Sequence, residues 1–118
     1  MLTFPPTIRT GEIVVQFAVP TDSQYYCQLG TVIDSDNETV TIEYQSLPTV
    51  CTTILNVVAV PGDDQRVDLW IFKFVVDGVT ESDALYVNLN WNEEQVRGLL
   101  LDHHFNGIND LVRVARPS

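Results

Sequence analysis

The residues with the most chemical potential are five in a row, Asp34-Ser35-Asp36-Asn37-Glu38, which set carboxylates at alternate positions. In a strand, side chains at i, i+2 and i+4 share a face, and in a tight loop they converge around the turn. Either geometry crowds like charges, and a proton, solvent or a cation relieves the crowding. Calcium suits such a set. It is a hard cation that takes about six to eight oxygens in loose geometry, from carboxylates, Asn and backbone carbonyls and water, whereas magnesium sheds its waters reluctantly. The spacing opens like an EF-hand loop but departs from one. Thr39 stands where the sixth-position glycine belongs and Gln45 where the twelfth-position glutamate belongs.

One hairpin tip offers three or four ligands, so a complete site needs a second loop. The best donor is Asp63 and Asp64 in the turn Pro61-Gly62-Asp63-Asp64. Asp77, Glu81 and Asp83, in the acidic stretch from Asp77 to Asp83, form a further candidate set. The competing reading of all three groups is that Asp, Asn, Gly and Ser are turn formers and that acidic loops are simply solvated. That reading weakens at 34–38 because no base lies nearby. Residues 10–65 hold eight carboxylates and no lysine or arginine.

The remaining chemistry-bearing residues have structural readings. His103 and His104 are adjacent, so on a helix they point about 100° apart and cannot face one ion; a helix-terminal histidine favours the negative end of the dipole. Cys27 and Cys51 are too few for a disulfide framework or a closed zinc site, and are read as small core residues. Trp70, Trp91 and the tyrosines read as core and sheet-face side chains. A Gly-rich phosphate loop, a nucleophile elbow and a Cys or Ser with an evident His partner are all missing from the sequence, so no enzymatic activity is expected.

The elements that position these groups follow from periodicity. Ile13, Val15, Phe17 and Val19 alternate, as do Val40, Ile42 and Tyr44 against Thr39, Thr41, Glu43 and Gln45, which predicts half-buried strands. Residues 31–44 therefore read as a hairpin with the acidic group at its tip. Residues 51–60 and 66–76 are apolar on both faces and are predicted to be central strands. An acidic turn at 77–83 leads into a strand through Leu85, Val87 and Leu89. The period then changes: Asn92 and Gln95 form a capping box, and Val96, Leu99, Leu100 and His103 recur at helical spacing up to a stop at Gly107. A last apolar stretch, residues 111–115, returns as a short strand or turn. The expectation is α+β but mainly β: one domain over residues 1–118, a small antiparallel sheet or half-open barrel of about six strands, and one C-terminal helix.

Composition narrows the partners. The 118 residues carry 16 Asp+Glu against 6 Lys+Arg, a formal charge of -10. Direct binding to nucleic acid or to an anionic membrane needs clustered basic residues, and this chain has one lysine and five scattered arginines. The N-terminal residues lack the basic and apolar regions of a secretory signal, and no apolar run approaches the ~20 residues of a membrane span. A soluble, cytoplasmic monomer is expected.

With its length, a pI near 4.2, a β-rich reading, the acidic loop Asp34-Ser35-Asp36-Asn37-Glu38 and no EF-hand, the chain resembles the small acidic calcium-binding proteins of filamentous cyanobacteria associated with heterocyst differentiation. The resemblance runs over the whole length and has no sharp motif. It implies a cytoplasmic protein that binds Ca²⁺ through negatively charged surface loops. It also implies one that holds down free calcium until it is removed, by a protein regulator or a protease. The loop at 34–38 is the segment onto which that site carries over. Two other readings stand beside it: an acidic interaction protein, such as a nucleic-acid mimic or inhibitor, that occupies a basic partner surface, and a surface adapted to high salt.

Overall fold

A computed structural model describes residues 8–116, which fall into two compact units, residues 8–60 and 61–116. The chain is mainly β, its sheets are antiparallel and its one α-helix among the described residues lies near the C-terminus, as the sequence predicts. Among the described residues the strands number eight and divide between two sheets.

The first unit contains β1 (Ile13–Gln16), β2 (Leu29–Ser35), β3 (Thr39–Glu43), β4 (Val50–Thr53) and β5 (Val57–Ala59), in the spatial order β4-β3-β2-β1-β5. The alternation in β3 is realised: Val40, Ile42 and Tyr44 enter a core with Val14, Val32 and Val57, while Glu43 is exposed. Gly30 faces this core because Ile42 and Tyr44 occupy the space a side chain would need.

Residues 51–60 do not form a central strand. The Thr53 hydroxyl accepts from Leu55 N–H and caps a 3-10 turn, Ile54–Asn56, which breaks the apolar run into two edge strands. Cys51 is consequently exposed on β4, not in the core. The turn also sets the curvature of the sheet. Four strand intervals of ~4.8 Å would separate β4 from β5 by roughly 19 Å if the sheet were flat. The four peptide steps from Thr53 to Val57 reach at most about 14 Å even when fully extended, and a 3-10 turn is shorter. The sheet must therefore curl until its edges approach. The joint is held at both ends: beside β3, Ile54 N–H donates to the Glu38 carbonyl at 2.9 Å, and beside β1, Phe17 N–H donates to the Asn56 carbonyl at 3.1 Å. The result is a strongly coiled sheet, not a closed barrel.

The second unit has β6 (Val67–Val76), β7 (Val79–Asn88), α1 (Glu93–Asp102) and β8 (Asn109–Arg113), with sheet order β7-β6-β8. Here the central-strand expectation holds, since Asp68 through Lys73 of β6 are all buried. Trp70, Phe72, Leu85, Val87 and Leu111 pack with Val96 and Leu100 of α1. The capping box forms with both reciprocal bonds: Gln95 N–H to Asn92 Oδ1 at 2.8 Å and Asn92 N–H to Gln95 Oε1 at 2.9 Å. The helix stops well before Gly107. His104 takes the left-handed conformation (φ 66°) that glycine usually supplies, with His104 N–H bonding the Leu101 carbonyl and Phe105 N–H the Leu100 carbonyl. Among the described residues no helix is long and apolar enough to cross a membrane.

Candidate metal centre in the acidic loops

The acidic hairpin lies where the sequence places it. β2 and β3 pair with Ser35 opposite Val40, and Asp36 N–H donates to the Thr39 carbonyl at 3.0 Å to close a four-residue turn. Asp36 organises that turn. Its Oδ1 accepts from Glu38 N–H at 2.7 Å and Thr39 N–H at 2.8 Å, and its Oδ2 from the Thr39 hydroxyl at 3.2 Å. These donors, the Glu38 amide first, hold its carboxyl below the usual carboxylate value of 3.8. The turn-former reading is thus correct for Asp36, whose side chain is nevertheless exposed and keeps one unshared lone pair, on Oδ2.

A bulge between Val32 and Asp34 shifts the register so that Asp34 sits opposite Thr41, on the outer face of the hairpin, while Ile33 turns to solvent. Asp34, Asp36 and Glu38 are all exposed. The Glu38 carbonyl is already engaged by Ile54 N–H, so Glu38 would offer only its side chain.

The other two groups belong to the second unit and are organised differently. The 61–64 turn is closed by Gln65 N–H to the Gly62 carbonyl at 3.1 Å and by Gly62 N–H to Gln65 Oε1 at 3.0 Å. Its carbonyls already hold a cation. The Arg116 guanidinium donates to the carbonyls of Gly62 at 3.2 Å, Gln65 at 2.6 Å and Val67, with its Nε 3.6 Å from the buried Asp68. Asp63 and Asp64 remain exposed beside that arrangement.

The stretch 77–83 is not one turn, as the sequence predicts, but a two-residue turn followed by strand. Asp77 and Gly78, at φ 51° and 79°, form a two-residue hairpin turn, and β7 begins at once with β-branched Val79 and Thr80. Glu81 lies opposite Phe74 and Asp83 opposite Phe72. At ~3.4 Å per residue, Asp83 is roughly 14 Å along the strand from Val79, far from Asp77. Asp83 is half-buried, and burial raises its carboxyl above the usual value, against the lowering effect of the Ala84 N–H that its Oδ1 accepts at 2.8 Å.

Among the described residues no three His, Cys, Asp or Glu side chains are grouped as metal ligands. Asp34, Asp36 and Glu38 are neighbours in sequence at one hairpin tip, but their side chains are not grouped as ligands there either. The sequence reading missed the arginine cluster. Asp68 is paired with Arg113 (3.8 Å) and Arg116 (3.6 Å), the Arg113 guanidinium lies 5.0 Å from the centre of the Trp70 ring, and Arg113 donates to the Trp91 carbonyl at 2.8 Å. Nothing in local spacing announces partners so distant in the chain. His103 and His104 lie exposed at the end of α1, as their structural reading has it, on the rim of a groove of about 330 Å³ floored by Phe74 and Phe105. Comparison of the chain with protein-family models, with curated proteins and with solved structures returns no significant match.

Proposed function

We propose that the chain is a non-enzymatic calcium-binding protein that buffers or senses free Ca²⁺ in the cytoplasm, with Asp34, Asp36 and Glu38 of the β2–β3 tip as its principal ligands. The observation that carries this reading is the exposure of those three carboxylates in a unit with almost no opposing charge. Residues 8–60 hold six carboxylates against Arg9 alone. The ion pairs seen among the described residues, Arg97–Glu93, Arg113–Asp68 and Arg116–Asp68, all lie in the other unit. Asp63 and Asp64, and then Asp77, Glu81 and Asp83, are secondary sites of weaker attraction. The Arg116 guanidinium competes at the first of these, and the extended geometry of β7 separates the second.

Open, solvated carboxylates give a modest affinity, weakened by salt and by acid. Titration calorimetry at low ionic strength decides the matter, comparing the parent chain with an Asp34→Asn, Asp36→Asn, Glu38→Gln variant. Asn at position 36 keeps the Oδ1 acceptor of the Glu38 and Thr39 amides and loses only the Oδ2 acceptor of the Thr39 hydroxyl, so the variant removes charge while the turn keeps its two backbone hydrogen bonds. Loss of one defined binding event is expected, and equal calcium uptake by both proteins rules the tip out.

A further inference from the structure

The tip of the β6–β7 hairpin and the turn that ends α1 face each other across the groove of about 330 Å³, and both walls are tied down. Val75 N–H donates to the Asn106 carbonyl at 3.0 Å, and Phe105 N–H to the Leu100 carbonyl at 3.1 Å. Gly107 lets the walls approach, because a Cβ on it would lie 3.0 Å from Val75 Cβ. Phe74 and Phe105 are only partly buried. Their rings stand at 84° with centroids 4.8 Å apart, and the buried Phe72 backs both, at 5.7 Å and 5.2 Å. Two perpendicular rings at an open groove make an aromatic corner, and the face of such a ring carries a negative quadrupole that attracts cations.

The charges around the corner act in the same direction. Asp77 stands on the rim, and Glu81 pairs opposite Phe74, so its side chain leaves the same face of the sheet. Residues 74–112 contain seven carboxylates and one fixed positive charge, Arg97, which is engaged by Glu93 and by the Ile108 carbonyl. Lys73, next to Phe74, leaves the opposite face, where its Nζ donates to the Ser82 hydroxyl at 2.6 Å. Asp83, one pair further from the tip, is already under the charge of the amino terminus and takes no part.

These features select the ligand. A hard cation such as calcium takes oxygen ligands and gains little from a phenyl ring, whereas an alkylated ammonium is apolar at its surface and suits one. The groove matches a small solute in volume. The field that favours an ammonium also repels the phosphate of a choline lipid. We propose that the groove binds a small free alkylammonium ion, its charge seated against the Phe74 and Phe105 rings and drawn in by Asp77 and Glu81. The site lies in the second unit, apart from the calcium tip at 34–38, and needs no metal.

The test titrates the intact chain in EDTA with choline and with its neutral isostere, the alcohol that carries a tert-butyl group in place of trimethylammonium, and follows the amide resonances. Choline should shift the amides of 74–77 and 103–107 and bind about tenfold more tightly than the alcohol, a difference of roughly 1.4 kcal/mol. Phe105→Leu keeps an apolar side chain without the quadrupole and should erase most of that preference. Asp77→Asn, which the left-handed backbone at φ 51° tolerates, should weaken choline about threefold, as loss of an exposed charge partner does. Asp22→Asn with Glu43→Gln, in the other unit, should change nothing. The isostere comparison and Asp77→Asn leave the core intact, so they decide the matter even where Phe105→Leu unfolds the protein. Equal binding of choline and the alcohol would reduce the groove to an apolar dent and overturn the proposal. So would equal weakening by the Asp22/Glu43 control, shifts confined to other residues, or tighter binding of phosphatidylcholine vesicles or of a trimethyl-lysine peptide than of free choline.

Discussion

Replacing Gly30 by alanine tests the packing of the first unit directly. A Cβ on Gly30 would lie 2.4 Å from Ile42 Cγ2 and 2.9 Å from Tyr44 Cε1, where carbon atoms pack at about 3.5–4.0 Å. Something must move by more than 1 Å, and neither neighbour is free to do so. Ile42 is fully buried and β-branched, so its χ1 is stiff. The Tyr44 hydroxyl accepts from the buried Gln16 Nε2 at 2.7 Å, and its ring lies 5.0 Å from that of Tyr25. Overpacking of this kind costs about 1–3 kcal/mol, and the reduced freedom of the unfolded chain returns roughly 0.4–1 kcal/mol. The expected net loss is about 1.3 kcal/mol, or roughly 5–10 °C in Tm for a unit of this size.

Tyr25, Tyr26 and Tyr44 lie in the first unit, and Tyr86 lies with both tryptophans in the second. Urea unfolding read by hydrogen exchange of the amides in residues 8–60 should show the loss. Ile42→Ala removes the offending Cγ2, so Gly30→Ala combined with it should cost less than the sum of the two single changes. A neutral Gly30→Ala, or strict additivity of the pair, would refute the reasoning.

Asn92→Ala deletes the capping box of α1 and should cost about 1 kcal/mol in tryptophan-monitored unfolding. Leu100→Ala opens a cavity under α1 and should cost about 2–5 kcal/mol by the same probe. Asp83 is raised in the folded state, so its contribution is intact below the ordinary carboxylate value of 3.8 and is lost as pH rises through the folded value. Asp83→Asn should therefore be more stable than the parent at pH 7, with the gap closing in acid, as urea midpoints across pH will show. Asp36 is lowered, so its contribution is present above the ordinary value and disappears as pH falls through the folded one. Asp36→Asn should thus be the less stable protein at pH 7 and converge with the parent in acid, and a pH-independent difference would contradict the turn geometry.

Much of this architecture is legible in the sequence where the determining interactions are local. The β2–β3 hairpin follows from period-two alternation on either side of Asp36 and Asn37, and the start of α1 from Asn92 and Gln95, because each signal and its partner lie within a few residues. The end of α1 was missed because His104, not glycine, takes the left-handed position, and a β-carbon there is strained but permitted. Residues 51–60 were misplaced because an apolar run does not say whether it is one strand or two; the Thr53 cap decides, and it looks like any other threonine. The acidic segment 77–83 reads as one long turn because its carboxylates suggest solvent, yet Asp77-Gly78 is a complete two-residue turn and Val79 already belongs to β7. Asp68 finds Arg113 and Arg116 only after β6 and β8 have paired, and no spacing in the sequence encodes that meeting.

The three-residue joint between β4 and β5 also orders events in time. The β2–β3–β4 meander closes through short connections, but β1 meets β5 in a pairing that sets Val14 against Ala59, 45 positions apart. That closure carries the largest loop entropy in the unit, and the joint delivers β5 to β1 only after β4 has docked on β3. The meander is accordingly expected to be formed in the folding transition state and the β1–β5 pair to be added afterwards. In chevron measurements Val40→Ala should then slow folding, whereas Val58→Ala should chiefly hasten unfolding; the reverse pattern would show that the ends of this sheet meet first.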